Sequence, residues 1–172
     1  MSILRILHYP DPVLAKKAEP VKEITDDIRR LAEDMAETMY AAPGVGLAAP
    51  QIGVSQRLIV LDCAGREEPP NMIKAVNPEI IASEGECFDE EGCLSVPGFY
   101  TRVKRKAGVK VRFLDLDNRT VEMDADGLLA VAFQHEIDHL DGILFVDHLS
   151  SLKKSLFKKK YQKILEQLEE QL

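Results

Sequence analysis

Length, composition and charge describe an ordinary globular chain and exclude several classes of protein. The 172 residues are 45% hydrophobic and 30% charged, which is enough to bury one core, so residues 1–172 are expected to form a single domain. The net charge of -7 argues against DNA as a partner, because broad nucleic-acid-binding surfaces are basic.

Two helices are predicted in the first quarter of the chain. Asp11 followed by Pro12 is typical of a short helical turn, with a capping side chain before a proline at the first helical position. A longer helix begins at Thr25 and ends near Ala42, before the helix-breaking pair Pro43-Gly44. Its apolar residues recur at helical spacing and should form a buried stripe: Ile28, Leu31, Met35 and Met39.

Four β-strands are predicted in the middle of the chain, from short apolar segments rich in β-branched residues. They are residues 57–61, 76–82, 108–114 and 120–123. The pair Asp117-Asn118 should form the turn between the last two strands. Residues 65–71 contain two consecutive prolines and should form an exposed loop.

Two further helices are predicted in the last third. Residues 127–140 are apolar on nearly every side, which indicates a central, buried helix. Residues 150–172 form a final helix, and its apolar set includes Leu152, Leu156, Ile164, Leu165 and Leu168. Strands with a few segregated helices predict an α+β fold. We expect small antiparallel or mixed sheets around the central helix, with helices at both ends of the chain.

The sequence also favours one cellular compartment. The first twelve residues lack the basic region, apolar run and cleavage site of a signal peptide. No apolar segment reaches the roughly 18 residues that cross a bilayer. The three cysteines are an odd and sparse set, unlike the disulfide framework of a secreted domain. We therefore expect a cytoplasmic protein without a membrane partner.

The segment HEIDH, residues 135–139, is the first candidate for a catalytic metal site. On a helix, His135 and His139 lie on one face and can bind one cation, and Glu136 lies beside it, free to transfer a proton. The alternative is a polar interruption of an apolar helix, but burying these groups without compensation would be costly, which favours a cation. Asp138 either orients a ligand, faces solvent or pairs with an arginine, and these alternatives remain open.

Two other segments contain candidates. In EGCLS, residues 91–95, Cys93 would complete a three-ligand site with a position for water. By itself it would more often be a small buried hydrophobe, but the histidine pair favours the ligand. In GVGLAAPQ, residues 44–51, two glycines permit close backbone approach and Gln51 offers an amide donor. The glycine spacing is not that of a phosphate-binding or dinucleotide-binding loop.

The segments GVGLAAPQ, EGCLS and HEIDH, in this order and at these separations, closely resemble peptide deformylase. The resemblance extends from HYPDPVL near the start to the final helix, as in the bacterial class that ends with such a helix. It implies a metal-dependent amide hydrolase, not a peptidase, which removes the formyl group from the N-terminal formylmethionine of nascent polypeptides and releases formate. It also implies a monomer.

The resemblance implies a role for each motif residue. The metal ligands would be Cys93, His135 and His139. A metal-bound water would be the nucleophile, with Glu136 as general acid and base. The Gln51 side-chain amide and the Leu94 backbone N–H would stabilise the charge on the formyl oxygen. The cofactor would be one divalent ion, with Fe²⁺ physiological and Zn²⁺, Ni²⁺ or Co²⁺ as substitutes; these ligand types do not decide among them.

The resemblance also implies how the peptide binds. It would pair as an extended strand with the backbone near Val45, Gly46 and Gly92. The methionine side chain would enter an apolar pocket lined by helix residues Leu128, Val131 and Ala132, although ordinary core packing explains the same residues.

The final helix is basic in an acidic chain. Its lysines are Lys153, Lys154, Lys158, Lys159, Lys160 and Lys163. They form either a solvated face or a surface that docks on ribosomal RNA, as described within the family. Docking on ribosomal RNA would weaken steeply as the salt concentration rises.

Two rival functions share part of the pattern. A zinc peptidase would take its third ligand as His or Glu downstream of the histidine pair, whereas Cys93 lies upstream. A structural zinc module would need a fourth Cys or His ligand, and the candidates Cys63, Cys87 and His8 stand at no recognisable spacing.

Overall fold

The computed structural model describes residues 2–65 and 67–170. Its helices are α1 (Asp26–Ala41), α2 (Gly127–Leu140) and α3 (Ser151–Glu170), with short 3-10 helices at Pro12–Ala15, Ala49–Ile52 and Phe145–His148. Its strands are β1 (Gly46–Ala48), β2 (Leu58–Leu61), β3 (Ile73–Glu84), β4 (Cys87–Cys93), β5 (Val96–Arg105), β6 (Gly108–Leu114) and β7 (Thr120–Asp126). The predicted α+β class is confirmed.

The strands form two antiparallel sheets. One has five strands in the order β1-β2-β3-β6-β7, and the other is the β4-β5 hairpin. Strand β1 has only three residues and lies at one edge of the larger sheet. Strand β3 is longer than the predicted segment 76–82. Strands β1, β4 and β5 were not predicted. In the case of β4, the segment reads CFDEEGC and lacks the apolar pattern of a strand.

Helix α2 is buried, as its sequence predicts. Phe133 and Leu140 are fully enclosed, and the helix packs on the inner faces of β2, β6 and β7 with an apolar core. Arg57 donates to the carbonyl oxygen of Leu140, at the last turn of α2, and pairs with Asp141 just beyond it. The part of the helix that carries both histidines is therefore held by core packing and by Arg57 at its last turn.

Helix α1 covers a second part of the core. The helix begins one residue after the predicted start at Thr25, whose hydroxyl accepts a hydrogen bond from the Ile28 N–H and so caps it. Met35 and Met39 are fully buried against β2, whereas Leu31 is only half-buried at the margin of the stripe.

Helix α3 packs through two aromatic residues that were not in the predicted apolar set. Phe157 and Tyr161 are buried against Tyr9 and Phe99, while Leu152 and Leu156 are exposed. The last two residues of the predicted helix lie outside the described residues. The loop at 65–71 is exposed wherever it is described. In the described parts of the chain, the helices are all too short or too polar to cross a membrane.

Candidate metal centre

Helix α2 and the end of β4 bring three potential metal ligands together. The ligand atoms of Cys93, His135 and His139 all lie within 4.8 Å of one another. The Cys93 sulfur is 3.3 Å from Nε2 of His139, and the two imidazole rings are 5.0 Å apart between centroids. Sulfur and imidazole nitrogen suit several transition metals, and three ligands leave one corner of a tetrahedron open. The three side chains could therefore hold one divalent cation.

The local structure of β4 explains how Cys93 reaches α2. Cys93 lies opposite Val96 across a tight turn, and the pairing of β4 with β5 is irregular between Glu91 and Cys93. Such an irregularity re-aims the side chains beside it. Gly92 lies between them, and a carbon added there would be 2.5 Å from the ring of Tyr100, so any larger residue would displace that exposed ring.

Two buried polar atoms at this place have no hydrogen-bond partner among the described residues. They are Nδ1 of His139 and Oε1 of Glu136. The two residues are 1% and 4% exposed. Buried polar atoms without a partner are costly, and they are typical of sites that bind water or an ion. Nε2 of His139 is the nitrogen that lies beside the Cys93 sulfur, so Nδ1 is turned away from the ligand group. The donor set and the free oxygen of Glu136 both fit a metal centre with water beside it.

The surrounding charges act in opposite directions on the two histidines. Burial alone would lower the pKa of His135, but Glu136, Cys93 and Glu91 together raise it well above its ordinary value. Burial and the positive charge of His135 lower the pKa of His139 well below its ordinary value. The negative groups that favour a proton on His135 would equally favour a cation, and a neutral His139 offers a lone pair to it.

Glu136 lies against the backbone of β1. A carbon added at Gly46 would be 2.6 Å from Oε2 of Glu136, so only glycine leaves room for the carboxylate. Burial raises the pKa of Glu136 to about 7, although the positive charges of His135 and Arg105 act against this. A carboxyl group with a pKa near neutrality can both take up and release a proton.

The amide of Gln51 is fixed at both of its ends. Its Oε1 accepts a hydrogen bond from the Ala48 N–H at 2.9 Å, and its Nε2 donates to Oγ of Ser95 at 3.0 Å. The same nitrogen lies 3.6 Å from the Cys93 sulfur. Gln51 is therefore part of the site, held beside the ligands. Ser95 was not predicted, because a serine carries no spacing signal for such a contact.

The residues predicted to bind a peptide fall into two groups. Val45 and Leu128 are 43% and 56% exposed, and Gly92 is partly buried. Gly46, Val131 and Ala132 are buried, and Ala132 belongs to the core under α2. Leu94 lies over the glycine-rich segment, where a carbon added at Gly44 would be 2.9 Å from its Cδ1. The segments GVGLAAPQ and EGCLS thus meet at the site.

A chain of charged side chains continues from His135. Nδ1 of His135 is 3.0 Å from Oε1 of Glu91, and Arg105 donates to both oxygens of Glu91. Arg105 also donates to Asp138 at 2.6 Å, and Asp138 in turn is 2.8 Å from Nε2 of His148. Asp138 therefore pairs with an arginine, which is one of the alternatives that the sequence left open.

The other cysteines do not join the ligand group. Cys63 is half-buried and packs against the core under α2, and burial raises the pKa of its thiol to about 11. Cys87 stands at the opposite end of β4 from Cys93. Within residues 2–65 and 67–170, no fourth Cys, His, Asp or Glu belongs to the group. A structural zinc module would need such a ligand.

Comparison with known proteins gives one consistent result. The model of the polypeptide deformylase family matches residues 3–155. A peptide deformylase of Thermodesulfovibrio yellowstonii is 57% identical over 94% of this chain and 98% of its own. The crystal structure of a peptide deformylase from Legionella pneumophila is 48% identical, with a TM-score of 0.91 over 97% of this chain and 98% of that one. A peptide deformylase from Ehrlichia chaffeensis, solved in complex with actinonin, is 38% identical, with a TM-score of 0.87 over 95% and 98%.

Proposed function

Because the chain belongs to the polypeptide deformylase family of enzymes, we propose that it hydrolyses the formyl group from the N-terminal formylmethionine of newly made polypeptides and releases formate. One observation carries the proposal: Cys93, His135 and His139 converge, with Glu136 beside them. The family supplies the reaction, and the geometry supplies residues able to perform it.

Cys93, His135 and His139 would hold the metal ion. A divalent cation bound there would polarise a carbonyl group and lower the pKa of a coordinated water toward about 7. We propose Fe²⁺ as the physiological ion, since an electron-rich thiolate and two imidazoles are compatible with it, with Zn²⁺, Ni²⁺ or Co²⁺ as substitutes.

Glu136 would transfer the proton. It accepts the proton of the attacking water and delivers it to the departing amine nitrogen, the double duty of a general acid and base. Its burial and its pKa of about 7 support this role, because such a group is available in both protonation states near neutral pH. The close contact with Gly46 fixes the carboxylate in one place.

Gln51 and the backbone N–H of Leu94 would stabilise the negative charge that develops on the formyl oxygen. Nε2 of Gln51 carries two hydrogens; one is donated to Oγ of Ser95 at 3.0 Å and the other to the Cys93 sulfur at the longer distance of 3.6 Å. The hydrogen on the sulfur would turn to the formyl oxygen when the substrate binds. One donor of this kind commonly contributes about 3 kcal/mol to lowering the barrier. Leu94 would act through its backbone, so its side chain should tolerate substitution.

The peptide would bind as an added strand. Val45 and Gly46 at the edge strand β1, and Gly92 near the end of β4, would provide the backbone partners. The methionine side chain would enter a pocket lined by Leu128, Val131 and Ala132. Methionine is unbranched and adaptable, so an apolar slot suits it.

We further propose a single-domain, monomeric, cytoplasmic enzyme that meets its substrates at the ribosome through α3. Exposed lysines along α3 support this contact. Binding to ribosomes should weaken steeply as salt rises, because each phosphate contact releases counterions. Binding that does not change with salt, or that does not occur, would leave the lysines as a solvated face.

The proposal is tested with a matched pair of substrates. A formyl-methionyl tripeptide and the same tripeptide without the formyl group are incubated with the metal-loaded protein. We expect formate release from the first and no cleavage of either peptide bond in the second. Cleavage of the unformylated peptide would instead indicate a zinc peptidase, and no reaction with either would contradict the proposal.

A further inference from the structure

We propose that Arg105 is a positioning residue for the metal centre, which holds the imidazole of His135 in place through Glu91 and is itself held by Asp138. The inference rests on the proposed function, because it concerns the same metal site. It goes beyond that function in assigning metal retention to residues outside the ligand set.

The first contact joins Glu91 to the metal ligand. Nδ1 of His135 lies 3.0 Å from Oε1 of Glu91. An ionised carboxylate can only accept hydrogen bonds, so Nδ1 carries the proton and Nε2 keeps the lone pair that a cation needs. Carboxylates that orient metal-bound histidines in this way raise metal affinity. The orientation of His135 therefore depends on where Glu91 is held.

Arg105 holds Glu91 with two parallel hydrogen bonds. Nε donates to Oε2 and a terminal nitrogen donates to Oε1, each at 2.9 Å. Both side chains are almost completely buried, at 4% and 6% exposure. The planar fork of a guanidinium fixes a carboxylate in position and in rotation, which a lysine ammonium cannot do. Oε1 receives Arg105 and His135 together, so a shift of the arginine would be passed to the imidazole.

The remaining terminal nitrogen ties Arg105 to helix α2. It donates to Asp138 at 2.6 Å, and Nε2 of His148 lies 2.8 Å from the same oxygen. Asp138 stands between the two histidine ligands in sequence, one turn after His135. The β4-β5 hairpin, helix α2 and the 3-10 helix at Phe145–His148 therefore meet at one guanidinium.

The alternative is that this buried cluster only stabilises the fold. Buried ion pairs are weak evidence for stability, because desolvation offsets much of their attraction. A purely stabilising role also leaves the third bond of Glu91, to His135, without a purpose. Phe145 also contacts this imidazole: its ring is stacked on that of His135, with the two centroids 5.9 Å apart. The imidazole is thus fixed by a carboxylate and by an aromatic ring.

The test uses Co²⁺ as the probe, because its thiolate-to-cobalt charge-transfer absorption in the near ultraviolet reports the bond to Cys93 directly. Parent protein, Arg105→Lys and Asp138→Asn are loaded with Co²⁺ and mixed with an excess of chelator, and loss of the thiolate-to-cobalt absorption is followed. Arg112→Lys is the matched control, since Arg112 also bonds two carboxylates, Glu79 and Glu122, but lies exposed on β6. Thermal unfolding of every variant is recorded in parallel.

We expect Co²⁺ release to be at least about tenfold faster in Arg105→Lys and in Asp138→Asn, with Arg112→Lys within twofold of the parent. Release within twofold of the parent in both site variants, even with lower melting temperatures, would overturn the inference and make Arg105 a structural residue. If Arg105→Lys does not fold, the near-isosteric Asp138→Asn decides alone. A parent protein that shows no thiolate-to-cobalt absorption would contradict the proposed metal site itself.

Discussion

Gly46→Ala tests the proposed role of Glu136 without replacing the glutamate itself. Position 46 lies on β1 with its missing side chain directed at Glu136. The added methyl carbon would lie 2.6 Å from Oε2 and 3.0 Å from two further carbons of the glutamate side chain. Carbon and oxygen atoms in ordinary contact are about 3.5 Å apart, so the carboxylate must move by about 0.9 Å.

The size of the effect follows from that displacement. Glu136 is 4% exposed and stands on α2 between the two histidine ligands, so a carboxylate that moves away from position 46 changes its place relative to those ligands. A misplacement of about 1 Å at a reacting group can cost about a hundredfold in rate. We therefore expect kcat for a formyl-methionyl peptide to fall about a hundredfold, with one metal ion per chain retained.

The assay compares Gly46→Ala with Gly108→Ala. Gly108 also lies in a strand, but a carbon added there meets its nearest neighbour at 3.4 Å, an ordinary contact far from the ligand set. Formate release, metal content and melting temperature are measured for both variants. A Gly46→Ala enzyme with kcat within threefold of the parent, folded and loaded with metal, would refute the placement of Glu136 as the proton-transfer group.

Three further predictions concern other parts of the molecule. Gln51→Ala should retain metal but lose at least about tenfold in kcat/KM, since it removes one charge-stabilising donor; an unchanged rate would refute that role. The Fe²⁺ form should lose activity in air faster than the Ni²⁺ form, because both ferrous iron and the thiolate are oxidisable; equal half-lives would contradict the choice of metal. The third concerns Tyr40, which donates to Asp62 at 2.5 Å. Burial and this bond raise the pKa of Tyr40 to about 12, so the stabilisation is complete below about pH 10 and is lost as pH rises through 12. Tyr40→Phe should lower the free energy of unfolding by about 1 kcal/mol at pH 7. The variant should also lack the fall in stability that the parent shows as pH rises from about 10 to about 12; the same pH profile in urea unfolding for both proteins would count against this.

The sequence predicted the elements whose pattern is local. Helix α2 was recognisable because its residues are apolar on all sides, and HEIDH placed two imidazoles on one helix face. The convergence of Cys93 with them came from three motifs taken together, since nothing near Cys93 in the chain indicates a metal. The cap of the first 3-10 helix by Asp11 is a local hydrogen bond and was predicted from the residue types alone.

The features that were missed depend on pairing between distant segments. Strand β4 carries three acidic residues in succession and forms a strand because β5 pairs with it across the hairpin. The hydrogen bond from Gln51 to Ser95 joins residues 44 positions apart, and no periodicity records it. Helix α3 buries Phe157 and Tyr161 and exposes Leu152, because the surface it packs on is aromatic.

X-ray absorption at the metal edge of anaerobically purified, active protein tests the ligand set most directly. We expect one metal ion per chain, bound by one sulfur and two imidazole nitrogens; a zinc-loaded sample should show the sulfur near about 2.3 Å and the nitrogens near about 2.0 Å. A first coordination shell without sulfur, in protein that releases formate at full rate, would contradict the site built from Cys93, His135 and His139.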